Sequence, residues 1–261
     1  MTGSFVNDLQ IPRKQIRHLA KNYNTLEYSP VLRSLLVSVF NDIDFSGFSK
    51  IMLHRYLNDS LIAHYAGEVS LKYQLFRRAA RKNLVAAFET KVQNSRVDFL
   101  TLNGVSASFE IKSELDNLNK LMKQATNYVK VFEYNYAVID ARHKKNALQI
   151  LPPSYGILSF TGGKRIVERI ASTNSAIDPD AQLSMLTKKE LCSGFNGFSS
   201  RCEVKNRFAD HTINVKFKEA LKSRYRIRWN FLVEHRNEIL PIDLQFFFNR
   251  NIDPDLVYNH G

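Results

Sequence analysis

The most constraining stretch of this chain runs from Asp98 through the turn signal Asn103-Gly104 to Glu110-Ile111-Lys112. From Val105 to Lys112 the odd positions hold Val105, Ala107, Phe109 and Ile111, and the even positions hold Ser106, Ser108, Glu110 and Lys112. A period of two is that of a β-strand. A dry odd face is therefore expected, with a wet even face carrying Glu110 and Lys112. Val97 to Leu102 reads as the preceding strand, and the turn decides where Asp98 points. A strict two-residue Asn-Gly turn pairs Leu102 with Val105 and sets Asp98 against Phe109, sending the two carboxylates to opposite faces. A three-residue loop with Gly104 left-handed pairs odd with odd, joins Val97 and Phe99 to Phe109 and Ile111, and lays Asp98 alongside Glu110. The second register satisfies burial and a shared acidic site together, and it is the one expected.

Two carboxylates held side by side suit Mg²⁺ or Mn²⁺, hard ions that take oxygen ligands, with the Ile111 carbonyl as a further donor. An ion held by Asp98, Glu110 and Ile111 would acidify a bound water and neutralise charge on a phosphodiester oxygen. Lys112 would position that water or stabilise the phosphorane. The reaction these residue types imply is phosphodiester hydrolysis.

Asp98 with Glu110-x-Lys112 resembles the core motif of the PD-(D/E)xK nuclease superfamily, with Val97 in place of the proline. The resemblance extends through Arg96-Val97-Asp98-Phe99, Asn103-Gly104, the segment from Phe109 to Asp116, the Gln124-x-x-x-Tyr128 spacing, Val131-Phe132 and the segment from Leu151 to Ile157. Over residues 89 to 158 the chain looks like the sce7726 family of bacterial proteins. The resemblance implies an α/β fold, a restriction-endonuclease-like mixed sheet flanked by helices, and a Mg²⁺-dependent deoxyribonuclease. It also implies an upstream acid, for which Glu89 and Glu68 compete. Glu89 is preferred for its place before the Arg-x-Asp strand. Gln124 and Tyr128 lie i, i+4 on one helix face, beside the apolar stripe, and the same spacing supports the active site in RecB-like nucleases.

A formal net charge of +12 and an isoelectric point near 9.7 point to a polyanionic partner. Charge alone does not separate nucleic acid from an anionic membrane; given the motif, nucleic acid is expected, DNA before RNA. Candidate contacts are Lys120 and Lys123, together with Arg224 and Arg228 on a long basic helix expected over Val215 to Leu232. Tyr225 and Trp229 on that helix can stack on bases or fill a core. No apolar run reaches the ~18 residues needed to span a bilayer, and Met1 to Asp8 lacks a signal-peptide pattern. A cytoplasmic protein without a membrane partner is expected. Cys192 and Cys202 do not have the spacing of a zinc site, and no Gly-rich phosphate loop, HNH or H-E-x-x-H pattern occurs. These absences argue against an NTPase or a zinc hydrolase.

Three regions are expected. Residues 1–82 read as helical, with runs near Ile16, from Val31 to Phe40 and from Gly67 to Arg81, closing on the basic cluster Arg77 to Lys82. Residues 83–168 carry the nuclease-like core, with a helix from Leu115 to Phe132, a strand from Tyr136 to Asp140, and a hairpin of Gly156–Phe160 with Arg165–Glu168. His143 follows the central strand and is placed to approach the site. Residues 169–261 return to basic helix, with a capping box starting at Thr187. Phe246-Phe247-Phe248 reads as core or as a homo-oligomer contact. The leading functional reading is a metal-dependent nuclease hydrolysing DNA, in bacterial defence or DNA processing. The alternative is a non-catalytic nucleic-acid-binding protein on a nuclease-like fold.

Overall fold

Two prolines mark helix starts near the N-terminus: Pro12 caps α1 (Arg13–Asn22) and Pro30 stands in the first turn of α2 (Ser29–Val37), where a missing N–H costs nothing. The computed structural model describes residues 11–64, 67–80, 83–161 and 164–259. The chain continues through α3 (Lys50–His64), α4 (Glu68–Ala79), strands β1 (Val85–Val92), β2 (Ser95–Asn103) and β3 (Val105–Lys112), and α5 (Leu121–Val129). After β4 (Tyr134–Asp140) come α6 (Lys144–Ile150), β5 (Gly156–Thr161) and β6 (Lys164–Arg169). Helices α7 (Pro179–Ser184), α8 (Lys188–Gly194), α9 (Arg201–Arg207), α10 (Asp210–Glu234), α11 (Leu244–Arg250) and α12 (Pro254–Asn259) complete it. Arg81, Lys82 and the two glycines of the expected β5–β6 connection lie outside the described residues.

The chain divides into two compact units, Met1–Gln74 with Phe231–Gly261 and Leu75–Asn230. This departs from the three-region division. Residues 169 to 230 join the sheet: Phe217 of α10 meets Phe132, and Gln182 of α7 donates to the Val131 carbonyl at 2.9 Å.

In the first unit, Ile16, Leu19, Leu32, Leu36, Leu53 and Leu57 form a core with Phe40 and Phe45. Phe247 and Phe248 are buried as well, which settles most of the Phe246–Phe248 run as core. Beside that core sits a buried polar group. Asp243 accepts hydrogen bonds from the hydroxyls of Thr25 (2.7 Å), Tyr258 (2.8 Å) and Tyr23 (3.0 Å), and Tyr23 Oη lies 2.8 Å from His54 Nδ1. Because Tyr23 gives its proton to Asp243, His54 Nδ1–H is the donor to Tyr23. Burial pushes the Asp243 carboxyl up to about 6, against the pull of the three hydroxyls. Burial, then the Lys50 charge, pushes His54 down to about 4.

The second unit is built on a six-stranded sheet in the order β1-β2-β3-β4-β5-β6. Strands β1, β2 and β3 form an antiparallel meander, β3, β4 and β5 run parallel, and β6 returns antiparallel. The parallel steps require crossovers, supplied by α5 and α6. These helices cover one face through Leu121, Ala125 and Ala147, which pack on Ala137, Ile139 and Ile157. On the other face, Trp229 of α10 meets Phe99 of β2 and Phe76 of α4. The mixed sheet flanked by helices, with helical segments before and after it, is the fold class expected.

The hairpin register pairs Phe99 with Phe109, Thr101 with Ala107 and Asn103 with Val105. Odd faces odd, three residues separate paired Leu102 and Ser106, and Gly104 has φ +74°. Both faces are dry: Val97, Phe99, Ala107 and Ile111 are buried on the odd face, as expected, and the even face, expected wet, is buried as well. Ser106, Ser108 and Glu110 are buried, whereas Val105 is exposed and Phe109 only half-buried. The even face lies under α5 and α6, and its serines are satisfied there: Ser108 Oγ donates to Asn135 Oδ1 at 2.6 Å and Ser106 Oγ to Glu133 at 3.2 Å.

Helix α5 is shorter than the expected span from Leu115 to Phe132. Asp116 accepts from Ser113 N and Oγ, and Asn117 accepts from Asn119 N. Such side-chain bonds compete with helical ones and favour turns. Glu133, just before β4, is a junction. It accepts from Ser106 N at 2.6 Å, Lys218 Nζ at 2.8 Å and Asn214 Nδ2 at 2.9 Å, and Lys218 also donates to the Gly104 carbonyl at 2.8 Å.

Candidate metal and active site

The ladder between β2 and β3 ends at Phe99 and Phe109. Extending that register by one residue sets Asp98 against Glu110, and there the backbone pairing gives way to a side chain: Asp98 Oδ2 accepts the Ile111 N–H at 2.6 Å. The hairpin therefore brings together the two acids expected to share a face, with Ile111 between Glu110 and Lys112 on the same strand.

Glu110 is 1% exposed. Its Oε1 accepts from Lys112 Nζ at 2.5 Å and its Oε2 lies 2.9 Å from the Tyr128 hydroxyl, which also faces the Arg96 carbonyl at 2.7 Å. Burial pushes the Glu110 carboxyl up, and the Lys112 charge, with hydrogen bonds from Lys112, Tyr128 and Gln124, pulls against it. Lys112 also loses hydration, yet the charges of Glu110, Asp98 and Asp116 hold its ammonium above the ordinary value. The proton rests on the lysine. Burial, then the Glu110 charge, pushes the Tyr128 phenol far up, so it serves as a hydrogen-bond donor and not as a base.

Tyr128, expected beside the apolar stripe of its helix, lies inside it, fully buried with Leu121 and Ala125, while Met122 is exposed. The stripe is rotated because α5 begins at Leu121. Gln124, one turn before Tyr128, keeps a buried Oε1 without a hydrogen-bond partner among the described residues. Carboxylate oxygens of Asp98 and Glu89 lie within 4.8 Å of each other, and oxygen donors of this kind suit a hard divalent cation.

Of the two upstream acids, Glu68 belongs to the first unit, where it pairs with Lys72 at 2.6 Å. Glu89 lies on β1 between residues paired with Phe99 and Val97, so the register sets it against Asp98. It has φ +53° and ion-pairs with Arg96. A non-glycine residue at positive φ inside a strand is costly and accumulates at functional sites. His143 Nε2–H donates to the Ser113 carbonyl at 3.0 Å, which holds the imidazole beside the end of β3.

The expected nucleic-acid contacts divide. Lys120, Lys123 and Arg228 are exposed. Arg224 is engaged within the fold, gripping Glu190 through Nε at 2.7 Å and Nη2 at 2.5 Å, and donating to the Met185 carbonyl. Glu190 also closes the expected Thr187 capping box. Trp229 is buried and Tyr225 half-buried. Sequence reading missed Glu133, whose partners lie 27 to 85 residues away and leave no local signal. Among the described residues no helix is long and apolar enough to cross a membrane.

No curated protein matches the chain. A solved structure of a protein of unknown function from Silicibacter pomeroyi is 18% identical, aligning over 59% of this chain and 90% of that one with a TM-score of 0.33. Residues 69–247, well over half of the sequence, match the family of bacteriophage P4 protein cII, and the chain belongs to that family.

Proposed function

We propose that this protein is a metal-dependent nuclease of the PD-(D/E)xK type acting on DNA in the cytoplasm. The observation that carries this reading is the register that sets Asp98 against Glu110, with Lys112 Nζ 2.5 Å from the Glu110 carboxylate. Asp98, Glu110 and the Ile111 carbonyl would hold Mg²⁺ or Mn²⁺, which supplies Lewis acidity and an acidified water. Lys112 keeps a proton within reach of the acids and would stabilise charge developing on the phosphoryl oxygens. Tyr128 and Gln124 orient Glu110 from α5, Glu89 adds a third carboxylate from β1, and α5 covers Glu110 from bulk water. Lys120, Lys123 and Arg228 would meet the phosphate backbone from outside.

A second reading, a nucleic-acid-binding protein that does not cleave, is favoured by the burial of Glu110 and by the engagement of both its oxygens. One experiment separates the two. Purified protein is incubated with labelled single-stranded DNA, duplex DNA and RNA in Mg²⁺ or in EDTA. Metal-dependent cleavage that is lost in Asp98→Asn and in Glu110→Gln supports the nuclease. Binding without cleavage in any metal supports the second reading.

A further inference from the structure

Opposite the acids, the other face of β3 and β4 forms a groove. Val105, Ala107, Phe109, Tyr134, Tyr136 and Val167 line a groove of about 590 Å³, with Arg165 of the edge strand β6 on its rim. Its floor is paved with rings. Phe109 and Tyr136 are register partners across β3 and β4, and their rings stack 5.0 Å apart at an interplanar angle of 9°. Gly156, the partner of Tyr136 on β5, makes this possible: a Cβ there would come within 2.3 Å of the tyrosine ring. Val167 and Ile170 at the rim are 49% and 78% exposed, an unusual concentration of apolar surface in water.

The groove also carries charge without an answer. Arg165 lines the groove from β6 and is exposed. Among the described residues no carboxylate forms an ion pair with it. A ligand that satisfies both features brings a flat apolar surface and a negative charge close together. Nucleobases joined by phosphodiesters do so, and their faces are accessible when the strand is single. We propose that this groove binds single-stranded nucleic acid, with bases on Phe109 and Tyr136 and backbone phosphate at Arg165. The inference goes beyond the nuclease reading and does not depend on it, because Phe109 and Glu110 point to opposite faces of one strand.

The test uses the full chain in EDTA, where no metal-dependent cleavage can occur, and follows the anisotropy of a fluorescein-labelled oligothymidylate and of an abasic strand of equal length. The wild-type protein should hold the oligothymidylate about tenfold more tightly than the abasic strand. Phe109→Leu should erase that preference. Arg165→Glu, at an exposed position that leaves folding intact, should weaken both strands and lower the salt slope by about one. Equal affinity for the two strands, or an Arg165→Glu protein that binds like wild type, overturns the proposal. So does an acidic peptide displacing the oligothymidylate, or sedimentation showing that a second copy covers the groove. A cleavage assay in Mg²⁺ on the same variants reports on the nuclease reading separately.

Discussion

At Glu110 the chain keeps a carboxylate 1% exposed, answered by Lys112, Tyr128 and Gln124. Breaking a buried ion pair from one side leaves a charge stranded and costs about 3–5 kcal/mol, whereas replacing both partners by apolar groups of similar size is close to neutral. Glu110→Ala should therefore destabilise the fold by about 3 kcal/mol, and Glu110→Leu combined with Lys112→Met should recover most of that loss in guanidinium denaturation. The double variant should be stable and inert. If it cleaves DNA at the wild-type rate, the pair serves the fold and not the chemistry. Lys112→Ala should lower the rate at saturating Mg²⁺ by about a hundredfold without moving the Mg²⁺ midpoint, because a cation facing developing charge acts in the transition state. A shifted midpoint with an unchanged maximal rate would assign Lys112 to metal binding.

The hairpin shows what one glycine contributes to an element. Nothing lies within 4 Å of a Cβ built on Gly104, so the cost of adding one comes from φ +74° alone. Gly104→Ala should lower stability by about 1 kcal/mol, and Gly104→Asn by less, since asparagine tolerates the left-handed region. Urea midpoints read both, and equal losses in the two variants would point to crowding. The Asn103-Gly104 signal and side-chain parity made this register legible in the sequence. Parity does not say that helices will cover both faces, so the burial of Ser106, Ser108 and Glu110 was not legible. The late start of α5 was hidden in Asp116 and Asn117, whose turn bonds interrupt an apolar spacing that continues through them. Helix α3 was missed because Lys50, His54, Asn58 and Ser60 are buried along with its leucines, leaving no polar stripe to set a period. On α10, charge alone could not distinguish Arg224, held by Glu190, from the exposed Arg228.

Taken whole, the molecule holds buried titrating groups whose effects oppose each other. Asp243 rises from 3.8 to about 6 on folding, so its contribution is fully present below 3.8 and is lost as pH climbs through 6. His54 falls from 6.5 to about 4, so its contribution is present above 6.5 and is lost as pH drops through 4. Each effect is worth roughly 3 kcal/mol, and between them they should leave stability nearly flat across that window. His54→Gln should expose a stability that falls as pH rises, and Asp243→Asn one that rises. Denaturant midpoints at a series of pH values test this, and parallel curves for the two variants would refute it. In the second unit, Glu133 ties Ser106 to Asn214 and Lys218, which are 81 and 85 residues away along the chain. Such a junction cannot close until long loops have been drawn in, and closing them is slow. Its bonds should therefore be absent at the folding barrier, and Glu133→Gln should quicken unfolding several-fold while leaving the refolding rate nearly unchanged. For this protein, how long the folded sheet survives is then set by a carboxylate that has no part in how fast the sheet is made.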